Sequence, residues 1–260
     1  DDYEMLYSSD GGTNFSIVSV VSGDKSVSGD RMTFRVANAS LLDGIYTLGT
    51  TNSAASPVNG GNNQTWYSYQ TGKANDPLVW TLDGGGTPLY VNPSSEVPGA
   101  NDNVVITTGK TITVTADNFG ADNLEVAGTL DLGQTSGHTA TTISGTGRIR
   151  FAGSASNLDN FPTGTTTAFA NALTGGTVEI YGSANITLNQ ARVYNDLIIN
   201  RTGGTISLTA SHTLNGEFTV TSGVFQFGGT ATSLTVFGDT QVDPGGTISV
   251  QSANVRHQYN

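Results

Sequence analysis

The stretch Asn123–Gly133 reads NLEVAGTLDLG, and Gly216–Gly229 reads GEFTVTSGVFQFGG: two short alternating apolar runs around a small turn. The template apolar–x–apolar–x–Gly–x–apolar–x–apolar keeps returning. Leu124/Val126 are answered by Leu130/Leu132, Ile143 by Ile149/Phe151, and Val178/Ile180 by Ile186/Leu188. Leu197/Ile199 are answered by Ile206/Leu208, Phe218/Val220 by Phe225/Phe227, and Leu234/Val236 by Ile248/Val250. Marker glycines at 128, 147, 182, 203, 223 and 245 are 19, 35, 21, 20 and 22 residues apart. An interval near 20 with two or three short strands per repeat predicts a solenoid, because one such unit cannot bury its own apolar face. Strands stacked on their equivalents one coil later run parallel. The expected fold is therefore an all-β parallel β-helix, right-handed by the preference of β crossovers. A β-sandwich also has short strands, but nothing in it would hold a fixed 20-residue interval.

Phe119, Val193 and Leu214 lie just before the first strand of their repeats and predict a third strand per coil. Asn195 and Asn215 fall at comparable bends, where stacked amides could satisfy turn backbone. The long gap holds an insertion at residues 153–176, whose Phe161, Phe169 and Leu173 are expected to pack back on the wall. Such an insertion is either a binding surface or a plain surface loop.

Upstream, residues 1–50 read as four antiparallel strands (MLYSS, FSIVSVVSG, RMTFRVA, GIYTLGT), the end of a sandwich-like segment. Residues 51–65 read as a polar linker and residues 66–118 as an aromatic N-terminal cap with the first coil. Residues 119–253 carry the coils and 254–260 a tail. Both tryptophans lie in the cap segment, with Trp66, Tyr67, Tyr69, Trp80 and Tyr90 close together. Two readings stay open for these rings: a plug over the first coil, or a sugar-stacking platform that makes them candidate ligand-binding residues.

Ten Lys+Arg against 21 Asp+Glu give a net charge of −11, which disfavours nucleic acid and anionic lipid surfaces as partners. There is no cysteine, which excludes disulfides, thiolate metal sites and thiol nucleophiles. No apolar run approaches the roughly 20 residues of a membrane span. The chain opens on DDYEMLYSS with neither Met nor an apolar leader, and reads as a processed protein or a piece of a longer one.

Trp66, NDPLVW at 75–80, a Gly-rich turn, VPGANDNVVITTGKTITVTAD at 97–117 and then LEVAGTLDLG together resemble a module of large surface proteins of gliding bacteria. Those proteins are exported by the type IX secretion system. The segment is also similar to the start of the G8 domain, which heads a β-helix. YTLGTTNSAASP at 46–57 resembles the sandwich-like segment that precedes the module. The resemblance covers roughly residues 40–135. It implies export and display at an extracellular or cell-surface location, with secretion or outer-membrane machinery, neighbouring domains of the same long chain and surface polysaccharide as partners. It implies no catalytic residues, and the C-terminal sorting domain of such cargo does not occur in this sequence.

Many β-helices cleave polysaccharides, which takes two or three clustered carboxylates. Asp122, Asp131, Asp196, Asp239 and Asp243 occur singly between turns. RIR at 148–150 resembles the basic strand that binds substrate carboxylates in such hydrolases, but Ile149 and Phe151 point inward, so Arg148 and Arg150 point out. His138, His212 and His257 lack metal-ligand spacing. Turn oxygens at 8–14, 23–30 and 98–103 make structural calcium a candidate, though none has the density of a dedicated loop. Thr111, Thr113 and Thr115 would suit an ice-binding face only if repeated; the outward positions Glu125, Asp131, Arg148 and Arg150 interrupt them. The expectation is a non-catalytic structural or adhesive solenoid segment. The alternatives are a polysaccharide lyase or hydrolase, and a carbohydrate-binding module.

Overall fold

The structure, a computed structural model, describes residues 3–12, 14–20, 25–28, 31–50, 64–82, 84, 96–153, 156, 158–228 and 232–250. Most of the expected linker, the tail, Tyr90 and His257 lie outside the described residues. The chain divides into two compact units, Asp1–Gly61 and Asn62–Asn260.

In the first unit Tyr3–Ser8 is flanked antiparallel by Ser16–Ile17 and Ile45–Thr50. Lys25–Ser28 pairs with Arg31–Phe34 as a separate hairpin, so part of the 23–30 segment, read as a turn, is a strand. Ile17, Ile45 and Leu48 stay largely exposed. A three-stranded sheet of this size buries too little to shield either face.

The second unit is a parallel β-solenoid of about seven turns. Its first wall stacks Gly72–Lys73, Thr111–Thr113, Thr129–Asp131, Arg148–Phe151 and Thr177–Gly182. It continues through the long strands Asp196–Leu208, Phe218–Phe227 and Thr240–Val250. A second wall stacks Thr65–Ser68, Asn103–Ile106, Gly120–Val126, Thr139–Ser144 and Thr163–Thr165. Strand alternation sends every second side chain inward. Ile112, Leu130, Ile149, Val178, Leu197 and Phe218 thus form one dry column, and Trp66, Val104, Leu124 and Ile143 another. Each fully buried aliphatic side chain contributes about 1.5–3 kcal/mol over its exposed state.

Among the described residues the expected third strand is built in the C-terminal half, by Arg192–Tyr194, His212–Leu214 and Leu234–Val236. Phe119 precedes a strand of the second wall instead. The marker glycines belong to two different turns. Gly147 stacks on Gly128, and Thr177 N–H donates to Gly147 O, so the next member of that column is Gly176 rather than Gly182. Gly182 lies at a second corner, after which Ile186–Leu188 opens a further course along the second halves of the long strands. The register step is 19 residues from Thr129 to Arg148, 29 from Arg148 to Thr177, and 19 again from Thr177 to Asp196. One coil therefore carries about ten extra residues without breaking the ladder.

Those residues leave the wall after Phe151. Phe161 and Phe169 turn back into the core as expected, but Leu173 is 94% exposed, lifted on a turn whose amides bond Asn171 Oδ1. Asn195 and Asn215 do not bond each other: the Asn215 amide donates to Ala170 O (2.6 Å) and ties the insertion down. The stacked amide contact occurs on the second wall, where Asn123 Nδ2 donates to Asn103 Oδ1 (2.6 Å) and Thr142 Oγ1 to Asn123 Oδ1.

Candidate functional site

The rings singled out by the sequence are placed by the head of the solenoid. Thr65–Ser68 is itself the first strand of the second wall, with Trp66 directly over Val104, and Trp80–Thr81 closes against it antiparallel. Trp66 and Trp80 are each 2% exposed, so neither indole can offer a face to a sugar. Both N–H groups are used: Trp66 Nε1 donates to Asp102 Oδ2 (3.3 Å) and Trp80 Nε1 to Ala74 O (2.9 Å). Asp102 also accepts from Gly99 N and Gln64 N, and Asp76 caps the short 3-10 turn Pro77–Val79 by accepting from Leu78 N. The motif residues NDPLVW and PGAND thus build a plug over the first coil. Tyr67 and Tyr69 are half-buried beside it.

Outward residues of the first wall converge instead. Arg148 and Arg150 point out, as alternation requires, and register places Asp131, Arg150 and Glu179 in one row. Arg148 Nη1 donates to Glu179 Oε2 (2.9 Å) and Asn200 Nδ2 to Glu179 Oε1 (2.9 Å). Asp131 Oδ1 accepts from Gly133 N (3.0 Å) and the Tyr181 hydroxyl (2.8 Å), while Arg150 Nε stands 3.5 Å from Asp131 Oδ2. The Arg150 guanidinium lies 4.1 Å over the Tyr181 ring. Burial, then the Asp131 contact, pushes the Tyr181 hydroxyl up to about 12. Three of the four oxygens of these two carboxylates accept hydrogen bonds, and the fourth, Asp131 Oδ2, stands beside the Arg150 cation without a hydrogen bond from its Nε. Neither is left to activate a water or protonate a glycosidic oxygen, the two tasks a hydrolase needs.

Other ionisable groups support the architecture. Arg201, 2% exposed, donates to Tyr181 O (2.7 Å), Gly203 O (3.2 Å) and Ala184 O, holding the corner between two courses. Its pKa is lowered by burial. His138 accepts from Phe119 N at Nδ1 (3.2 Å), which leaves the proton on Nε2, 3.0 Å from Thr135 Oγ1. Buried His212 donates from Nδ1 to Ala210 O (3.1 Å), while its Nε2 has no partner. Burial lowers the pKa of both imidazoles. The Asp159–Arg192 pair (2.6 Å) fastens the insertion, with Arg192 5.3 Å from the Phe161 ring centroid.

Among the described residues no three His, Asp or Glu side chains are grouped to hold a metal ion. Asp10 of the 8–14 turn accepts from Ser8 Oγ and from the Asn14 backbone and amide, and Asp102 of the 98–103 turn is taken up by the cap. Ion pairs such as Arg148–Glu179 escape sequence reading because their spacing includes the insertion. No helix among the described residues is long and apolar enough to cross a membrane. No known protein family, curated protein or solved structure matches this chain.

Proposed function

We propose that this chain is a non-catalytic structural or adhesive solenoid segment of a large secreted bacterial surface protein, a type IX secretion cargo displayed outside the cell. The observation that supports the non-catalytic part is the outer face of the first wall, where Glu179 has both oxygens hydrogen-bonded and Asp131 has Oδ1 hydrogen-bonded and Oδ2 3.5 Å from the Arg150 guanidinium. A stack of coils with paired polar side chains outside and a dry column inside suits a spacer. The secreted, surface-displayed part rests on the motif resemblance, whose residues Trp66, Asp76, Trp80 and Asp102 act together in one cap. Its partners in this reading are the export and surface machinery, adjoining domains of the same chain, and surface glycans.

The test incubates the chain with acidic and neutral polysaccharides, with and without calcium. Neither unsaturated nor reducing ends should rise above the buffer control; their release would overturn the reading. Expression of the full reading frame in a gliding bacterium, with and without a working type IX system, tests the export part. Surface labelling that persists after the system is disabled would refute it.

A further inference from the structure

A shallow groove crosses three coils of the first wall beside the stacked turns. Gly128 and Gly147 leave its floor bare of side chains, and Thr111, Thr129 and Thr177 line it in register with Arg148, with Thr146 on the turn. Lys110 stands at one end. No carboxylate lines it, although acids outnumber bases two to one in the whole chain. The Lys110 ammonium and the four threonine hydroxyls have no protein partner among the described residues. The Arg148 side chain, though bonded to Glu179, is 45% exposed.

We propose that this groove binds a carboxylated polysaccharide strand running along the coils. The spacing selects the ligand. Thr111 is followed in register by Thr129 and then Arg148, so Lys110, which has no acidic partner among the described residues, and Arg148, whose charge is shared with Glu179, sit about two strand spacings apart, roughly 10 Å at the backbone. Hydroxyls and bare backbone fill the interval. A ligand that fits carries separated anionic charges with hydroxyls between them, which describes an acidic glycan. No aromatic ring lines the groove to stack the base of a nucleic acid. The same lack of a ring removes sugar stacking, so binding depends on charge and is screened by salt. This assignment deepens the adhesive reading by naming its ligand class, and it does not depend on how the chain is exported.

Affinity electrophoresis and calorimetry with polygalacturonate, a neutral glucan and poly-dT test it on the full chain. Polygalacturonate should bind at low salt and release at about 0.5 M salt. Lys110→Gln, which breaks no contact within the protein, should weaken binding roughly tenfold. Thr129→Val should weaken it roughly threefold, and Lys73→Gln, outside the groove, should leave it unchanged. Indifference of the wild type to polygalacturonate would overturn the proposal. Equal binding of poly-dT, equal binding of the neutral glucan, or unaltered binding by Lys110→Gln would do so too. Appearance of reducing ends would unseat the non-catalytic reading and leave binding intact; neither binding nor cleavage would remove the groove and leave that reading standing.

Discussion

Gly147 sits where two coils touch backbone to backbone, and Gly147→Ala should show how tightly they are stacked. A Cβ there would lie 2.2 Å from Gly128 O, 2.7 Å from Ala127 C and 2.8 Å from Val126 O, all of them backbone atoms. Reaching ordinary contact at 3.4 Å means moving the turn by 3.4 − 2.2 = 1.2 Å. That displacement disrupts three ladder bonds: Gly147 N to Val126 O (2.7 Å), Arg148 N to Gly128 O (2.8 Å) and Thr177 N to Gly147 O (2.9 Å). At about 1 kcal/mol net for each bond, with more for any group left unsatisfied, the loss is about 3–5 kcal/mol. Gly109→Ala is the control. Gly109 has φ +76° with nothing within 4 Å of an added Cβ, so only backbone strain of about 1–2 kcal/mol is expected. Urea unfolding gives the comparison, and amide exchange shows whether protection falls first at coils 126–148, since solenoids can open by segments. If Gly147→Ala costs no more than Gly109→Ala, contact between stacked turns does not limit the fold.

Acidification should destabilise the solenoid. His138 and His212 have lowered pKa values when folded, so the unfolded chain binds protons more readily. Stability is full above the ordinary imidazole value of about 6.5 and falls as pH drops through it toward the folded values; identical urea midpoints on both sides of that window would contradict this. At the alkaline end the sign reverses: Tyr181, raised to about 12, supports folding below pH 10 and loses that contribution between about 10 and 12. Acrylamide should quench Trp66 and Trp80 poorly, and glycans should not alter their emission; strong quenching in the folded state would restore the sugar-platform reading. Phe169→Ala should cost about 3–5 kcal/mol and Leu173→Ser under about 0.5 kcal/mol, measured as urea midpoints; equal losses would refute the assigned packing of the insertion.

Period-two alternation and a spaced glycine make the parallel stack legible in the sequence, because both follow from what one coil needs of the next. The columns were harder to assign. Gly147 and Gly182 each stand between two apolar runs in sequence, yet one closes the turn into the first wall and the other the corner leaving it. Only the register separates them. The 29-residue step also hid Arg148–Glu179 and the Tyr181–Asp131 bond, whose partners are 31 and 50 residues apart. The aromatic cluster could be located but not assigned a role, since a tryptophan that plugs a coil and one that stacks a sugar look alike until burial is known.

The coil between Arg148 and Thr177 absorbs its extra chain at a corner, while the paired strands on either side keep their alignment. Leu173, on that detour, is almost fully exposed. A foreign epitope grafted between Asn171 and Thr174 would therefore be displayed from a rigid mount whose assembly never depended on what it carries.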